Sequence, residues 1–315
     1  MIVDPNEIKG IVDNIIEEIH QRVVGLDYAV KNILACFFAN GHVLLEGVPG
    51  IAKSMMAYSL AEILGLDFKR IQFTPDLMPG DITGVSVFNM KTQEFSFIKG
   101  PVFSNIILCD EISRAPPKTQ SAMLEAMQER QVSHEGITYR LPEPFLVIAT
   151  QNPIEQAGVY PLPEAQLDRF LIRQIIAYPN KAAELEMLQL KQKEDMLPER
   201  TLSSPEEFLK IQQFVRQEVL VSEKIMEYVV DLIRTTREHY GLTLGGSPRA
   251  SISLMTVAQA RAALSGRDYV EPDDVKQLFF SVVNHRLILS PETEMDKVPV
   301  IQIVDNIIKS TEVIL

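Results

Sequence analysis

The stretch that most constrains the fold is HVLLEGVPGIAKSM, residues 42–55. A short apolar run ends at Gly47, a loop follows, and 55–64 then reads as a helix closed by Gly65. Strand, glycine-containing loop and helix in that order commit the chain to an α/β unit. Its loop can present backbone N–H groups, at the positive end of a helix, to phosphate oxygens. The phosphate-loop pattern is G-x-x-x-x-G-K-[ST]; Gly47, Lys53 and Ser54 fall in register, while Ala52 stands at the sixth place. Lys53 would meet the β- and γ-phosphates, and the Ser54 hydroxyl would ligate Mg²⁺. Ala52 adds one methyl and is a good helix former, so the expectation is that Gly50 supplies any close backbone approach. On this stretch alone, an ordinary strand-turn-helix link stays open.

A second element agrees with the first in position and chemistry. The run 105–109 reads as a strand that ends in Asp110-Glu111, placing two carboxylates at a sheet edge, where ligands of open α/β sheets bind. Asp110 would hold Mg²⁺ through water, and Glu111 would orient and polarise the attacking water. A solvated acidic loop is the bland alternative, which the upstream loop weakens. A further strand over 145–150 runs into Gln151-Asn152, and the Asn152 amide is suited to sensing a γ-phosphate without adding charge. Read alone, an Asn after a strand is a turn residue.

Around these motifs the chain divides in texture. Asp4 caps a first helix with Pro5 in its first turn, and a second runs over 29–39. Apolar runs at 69–73, 105–109, 145–150 and 171–177 suggest buried parallel strands. From 181 onward the periodicity is helical, over 182–192, 205–217, 222–240, 248–264 and 272–285, with a tail over 300–314 that reads better as helix than as strand. The expected domains are therefore 1–178, α/β, and 179–315, helical. Two hairpins interrupt the first, one within about 82–100 and one within about 131–141.

A formal charge of −12 and a pI near 5.0 weigh against a surface built to wrap nucleic acid. With neither a signal-like segment nor an apolar run of membrane-spanning length, the expectation is a cytoplasmic protein with no membrane insertion. Cys36 and Cys109 lie in apolar stretches and read as reduced core residues.

The strings GVPGIAKS, CDEISRAPPKTQSAMLEAMQERQV, ATQNPIEQAGVYPLPEAQLDRF and GGSPRA, in this order, resemble the MoxR family of AAA+ ATPases from Arg22 to about Pro291. The resemblance implies an AAA+ P-loop NTPase core with a five-stranded parallel sheet and a helical lid, binding ATP and Mg²⁺ and self-associating into a ring, usually a hexamer. It implies a nucleotide held by Gly47, Val48, Pro49, Gly50, Ile51, Ala52, Lys53, Ser54 and Met55, with Val24 and Gly25 against the base. Val24 and Gly25 equally suit a plain turn into a helix. Ser54 and Asp110 would serve the metal, and Glu111 and Asn152 hydrolysis. Arg169 matches an arginine finger reaching a neighbour's γ-phosphate, and Arg249 matches a second sensor at the start of a lid helix. Arg114, near Asp110, is a further candidate for contact with the next subunit. Without the family, Arg169 reads as a surface ion pair and Arg249 as a residue of a helix's first turn.

The function so implied is ATP hydrolysis coupled to chaperone-like remodelling or maturation of a protein partner, such as one with a von Willebrand factor A domain. The alternatives are a nucleic-acid motor or clamp-loader-like protein, and a nucleotide-binding scaffold.

Overall fold

The computed structural model describes residues 4–153, 158–191 and 204–313. Helix α1 (Pro5–His20) starts where the Asp4 carboxylate accepts the Asn6 amide, and it buries Ile8, Val12, Ile15 and Ile19 along one face. Helix α2 (Asp27–Phe38) leads to β1 (Val43–Glu46), and the glycine loop connects β1 to α3 (Lys53–Ile63). Strand β2 (Phe68–Gln72) and the short α4 (Pro79–Thr83) precede a hairpin of β3 (Gly84–Asn89) and β4 (Glu94–Lys99). Next come β5 (Ile106–Asp110), α5 (Pro117–Glu129), a second hairpin of β6 (Gln131–His134) and β7 (Ile137–Arg140), β8 (Leu146–Gln151), α6 (Glu164–Leu167) and β9 (Ile172–Ile175).

Five of these strands form one parallel sheet in the order β2-β5-β8-β1-β9. Helices cover both of its faces, which is why the strands read as unbroken apolar runs rather than as alternation. Leu44, Ile107, Cys109 and Val147 pack toward α5, whereas Val43, Leu45, Ile106, Leu108 and Ile148 join a cluster with α1, α2 and α3.

The remaining helices are α7 (Lys181–Lys191), α8 (Pro205–Gln217), α9 (Glu223–Glu238), α10 (Pro248–Leu264), α11 (Pro272–Val283), α12 (Pro291–Met295) and α13 (Val300–Ser310), with a small pair of strands, β10 (Leu242–Leu244) and β11 (Ile288–Leu289). Proline in the first turn of α8, α10, α11 and α12 fixes where each begins. Helix α10 is central: Ala250, Ala258, Ala260, Ala262 and Ala263 are buried, and their small side chains let α2, α9 and α11 approach it closely. The helical segment thereby shares one apolar cluster with α1, α2 and α3.

The tail is helical, as its spacing suggests, and the expected end at Gln192 and the last residue of the 300–314 tail lie outside the described residues. Helix α5 had no counterpart among the expected elements. Its buried apolar residues Met123, Leu124, Ala126 and Met127 span little more than one turn, and the turn before them buries the polar Thr119 and Gln120, which hides the apolar period. Both expected hairpins form, and they are joined. The Phe97 ring of the first stacks on both His134 and Tyr139 of the second, with centroids 4.7 and 4.6 Å away, and Ser86 Oγ meets His134 Nε2 at 2.9 Å. Beyond that stack Phe88, Met90 and Phe95 are exposed. Cys36 and Cys109 are free, buried thiols whose pKa values burial raises.

Two buried histidines make the fold sensitive to acid. His42 Nδ1 accepts the Val147 amide and Nε2 donates to the Met127 carbonyl, both at 3.1 Å, so the neutral ring is fully used. Burial, helped by nearby Arg130, lowers its pKa from 6.5 to about 3. Burial and then Arg286 push His285 well below its ordinary value. The unfolded chain binds these protons near pH 6.5 and the folded chain does not, so stability is full above that pH and falls as pH drops. His42 alone should remove about 2 kcal/mol by about pH 5. His20, raised chiefly by its hydrogen bond to Asp27, acts in the opposite sense but is more exposed and weaker. Urea midpoints should therefore fall between about pH 7 and about pH 5; equal midpoints would mean that these rings are reached by solvent in the folded protein.

Candidate functional site

Parallel register brings the sequence motifs to one edge of the sheet. Glu46, the last residue of β1, is paired with Gln151 at the end of β8, and Gln72 of β2 with Asp110 at the end of β5. The loop after β1, the acid pair after β5 and Asn152 after β8 therefore stand level at the carboxyl ends of the strands, where open α/β sheets bind ligands. Together they line a cleft of about 360 Å³ whose walls include Pro49, Gly50, Ala52, Lys53, Ser54, Met55, Asp110, Glu111 and Asn152, with Thr150 and Gln151 between them. The first turn of helix α3, Lys53 to Met55, faces this space with its positive end.

The loop's shape has a different cause from the one its sequence suggests. Ala52 has φ 57°, in the left-handed region, and is the cap of α3 rather than its first residue. The sixth place is thus a backbone requirement for positive φ, which glycine meets without cost and alanine meets at about 1–2 kcal/mol. The close approach lies at Gly47 and not at Gly50. A Cβ on Gly47 would stand 2.5 Å from Ile51 Cδ1 and 2.7 Å from the Ile176 carbonyl, whereas nothing lies within 4 Å of one on Gly50, which instead takes φ +84°. Gly47, Val48 and Ile51 form the back of the loop, and Lys53 Nζ donates to the Gly47 carbonyl across it.

The acid pair is held by a network. The Thr150 hydroxyl donates to Asp110 Oδ1 at 2.7 Å and accepts the Glu111 amide at 2.8 Å. Glu111 has φ 57°, so its side chain leaves the line of the strand. Glu111 Oε2 accepts from Gln72 Nε2 and pairs with Arg114 Nε, each at 3.1 Å. Arg70 Nε and Nη2 donate to Asp110 Oδ2 at 3.1 and 2.6 Å. Thr150, Arg70 and Gln72 were not among the expected site residues. The pair Arg70 and Gln72, two apart at a strand end, carried a usable signal, because alternate residues share a face.

Val24 is buried, and Gly25, at φ +79°, lies under the start of α7, where an added Cβ would be 3.1 Å from Ala183. Neither lines the cleft. Its neighbours Pro179 and Ala183 follow β9, so Val24 and Gly25 stand on the loop's side of the sheet.

Arg169 and Arg249 are not brought to this cleft. Arg169 precedes β9 and so lies at the amino edge of the parallel sheet, across the depth of a four-residue strand, about 13 Å at 3.3 Å per residue. There it lines a second cleft, of about 270 Å³, with Asp168, Arg249 and Arg286. Arg249 Nη1 is 3.7 Å from Asp168 Oδ2, while the Arg169 side chain makes no hydrogen bond or ion pair among the described residues. Arg286, which sequence reasoning missed, donates to Asp168 Oδ1 at 2.6 Å and to the Phe170 and Leu171 carbonyls at 2.8 and 3.2 Å. Nothing in the local pattern around it marks this role.

The strand order, the phosphate loop after β1, which lies one in from the β9 edge, and the acid pair after β5, two strands further along, define a P-loop nucleotide-binding protein of the AAA+ class. Residues 42–172 match the family described as "ATPase family associated with various cellular activities (AAA)", and residues 234–307 match the AAA lid domain. The chain is 48% identical over 302 residues to the uncharacterized protein YeaC of Bacillus subtilis (strain 168), covering 95% of this chain and 93% of that one. It is 42% identical over 296 residues to Chaperone MoxR1 of Mycobacterium tuberculosis (strain ATCC 25618 / H37Rv), covering 91% and 78%. A crystal structure of a "putative ATPase" from Cytophaga hutchinsonii ATCC 33406 superposes with a TM-score of 0.91 at 40% identity, covering 99% of this chain and 97% of that one. The chain belongs to the MoxR family of AAA+ ATPases.

The geometry at Ala52 carries a test. Ala52→Gly relieves backbone strain in the folded loop but adds freedom to the unfolded chain, so stability should change by less than about 1 kcal/mol and nucleotide affinity should hold. Ala52→Val should destabilise by about 2 kcal/mol, since a β-branched residue tolerates positive φ poorly. Chemical denaturation of the two variants decides it; a harmless valine would mean that the loop does not hold this φ in solution.

Proposed function

We propose that this chain is an ATP hydrolase that works as a ring of six and uses hydrolysis to remodel or mature a protein partner. The observation that carries the reading is the split between the two sheet edges: a complete phosphate and acid set at one, two arginines together at the other. An arginine that cannot reach its own subunit's cleft is placed to serve a neighbour's, and positive charge there stabilises the transition state. Arg249 then acts in trans alongside Arg169.

Within one subunit the loop amides and Lys53 bind the phosphates, Glu111 takes a proton from the attacking water and Asn152 orients that water. The hard oxygens of Ser54 and Asp110 suit Mg²⁺, which would be completed by phosphate oxygens and water and would neutralise charge on the β- and γ-phosphates. Val24 and Gly25 would border the base. We place the division between core and lid at about residue 178.

A relative named as a chaperone supports a protein client, and the exposed apolar tip at Phe88, Met90 and Phe95 offers it a contact. A von Willebrand factor A domain is the client class we favour. Acidic net charge disfavours nucleic acid. No described helix is long and apolar enough to cross a membrane, and we take the site of action to be cytoplasmic.

Glu111→Gln should retain ATP binding while phosphate release falls at least about 100-fold. Arg169→Ala should bind ATP and fail similarly. Mixing these two inactive variants should restore a fraction of the ATPase rate, because some interfaces then pair an intact Glu111 with an intact Arg169. A mixture as inactive as its parts, in protein shown by light scattering to co-assemble, would remove the shared-site reading.

A further inference from the structure

Arg70 belongs to none of the expected motifs, yet its guanidinium is seated on Asp110. It lies on β2, one of the two edge strands of the sheet, two residues before Gln72, so both side chains leave the same face. Nε and Nη2 converge on a single oxygen, Asp110 Oδ2, at 3.1 and 2.6 Å, and Nη2 also donates to Gln72 Oε1 at 2.7 Å. The other carboxylate oxygen is taken by the Thr150 hydroxyl at 2.7 Å. Asp110 is therefore engaged at both oxygens.

The two partners differ in freedom. Thr150 is buried within β8, and its hydroxyl also accepts the Glu111 amide, so that side of Asp110 is fixed. The Arg70 side chain is 53% exposed against 13% for Asp110, so the arginine can swing away and the carboxylate cannot. An oxygen accepting two charge-assisted N–H bonds has little capacity left for a hydrated cation, and guanidinium and Mg²⁺ repel each other.

We propose that Arg70 competes with Mg²⁺ for Asp110 and so sets the Mg²⁺ concentration at which nucleotide binds tightly. This rests on reading the cleft as a Mg²⁺–ATP site. Arg70 acts through Asp110 and is a positioning residue. A half-exposed pair couples modestly, so the expected effect is about two- to tenfold.

The test is equilibrium binding of a fluorescent, non-hydrolysable ATP analogue in EDTA and across a Mg²⁺ series, with wild type, Arg70→Gln, Asp110→Asn and the double variant. In EDTA, wild type and Arg70→Gln should agree within about twofold. Arg70→Gln should reach half of the Mg²⁺-dependent gain at about two- to tenfold less Mg²⁺, and the shift should vanish in the Asp110→Asn background. Weaker binding in EDTA would mean that Arg70 serves phosphate directly, and an unchanged or higher Mg²⁺ midpoint would show no competition; either overturns the inference while leaving the ATP site standing. A wild-type chain that binds no nucleotide overturns the ATP reading itself.

Discussion

A buried guanidinium ties the helical segment to the sheet. Arg286, just beyond α11, is 8% exposed and meets Asp168 and the Phe170 and Leu171 carbonyls, with Val282 behind it. Burial lowers its pKa, and Asp168 opposes that shift. A cation this far from water is tolerable only when its partners are all present, and removing one typically costs several kcal/mol. The segment 168–171 and the end of α11 are thus held together, and Asn284 Nδ2 adds a bond to the Arg173 carbonyl at 3.0 Å. Arg173 in turn pairs with Glu46, the residue before the phosphate loop.

From that tie the layout of the arginines follows. Asp168 faces Arg286 with one oxygen and Arg249 with the other, so the start of α10 is fixed beside Arg169. The same contacts keep both arginines at the amino edge of the sheet. In the proposed ring, a subunit would offer its acid pair to one neighbour's arginines and its own arginines to another. The contacts from Asn284, beside Arg286, through Arg173 to Glu46 give the two edges a common frame.

Much of this was legible in the chain because it depends on local pattern. Buried parallel strands announce themselves as short apolar runs, and first-turn prolines mark the starts of α8, α10 and α11. Asp110, Glu111 and Asn152 sit in or directly after strand ends, and Lys53 and Ser54 open the helix that follows the loop after β1, so their convergence needs only parallel pairing and that short loop. What was hidden depends on contacts across the fold. Arg286 meets residues more than a hundred positions earlier, and no periodicity encodes that. Arg169 precedes a parallel strand, so strand pairing alone puts it at the amino edge, whereas the edge that Arg249 occupies is decided by packing of α10 on α2 and α9. At Gly25 the sequence permits either a turn or a base contact, and the positive φ explains the glycine without distinguishing them.

Two of the non-glycine residues with positive φ stand at the phosphate edge. Ala52 and Glu111 both take φ 57°, where residues other than glycine are held only by their surroundings, at about 1–3 kcal/mol each. At Glu111 the holding contacts are the Thr150 hydroxyl on its amide and Gln72 and Arg114 on its carboxylate. At Ala52 they are the Met56 amide on its carbonyl at 2.9 Å and the packing of Ile51 beneath it. A glycine at either place would relax the backbone, but at position 111 it would also delete the carboxylate. The strain at Glu111 therefore cannot be removed by sequence without losing its side chain, whereas at Ala52 it can. Positive φ at Glu111 thus follows from the need to aim an acid out of the strand's line, and positive φ at Ala52 from the need to turn the loop into α3.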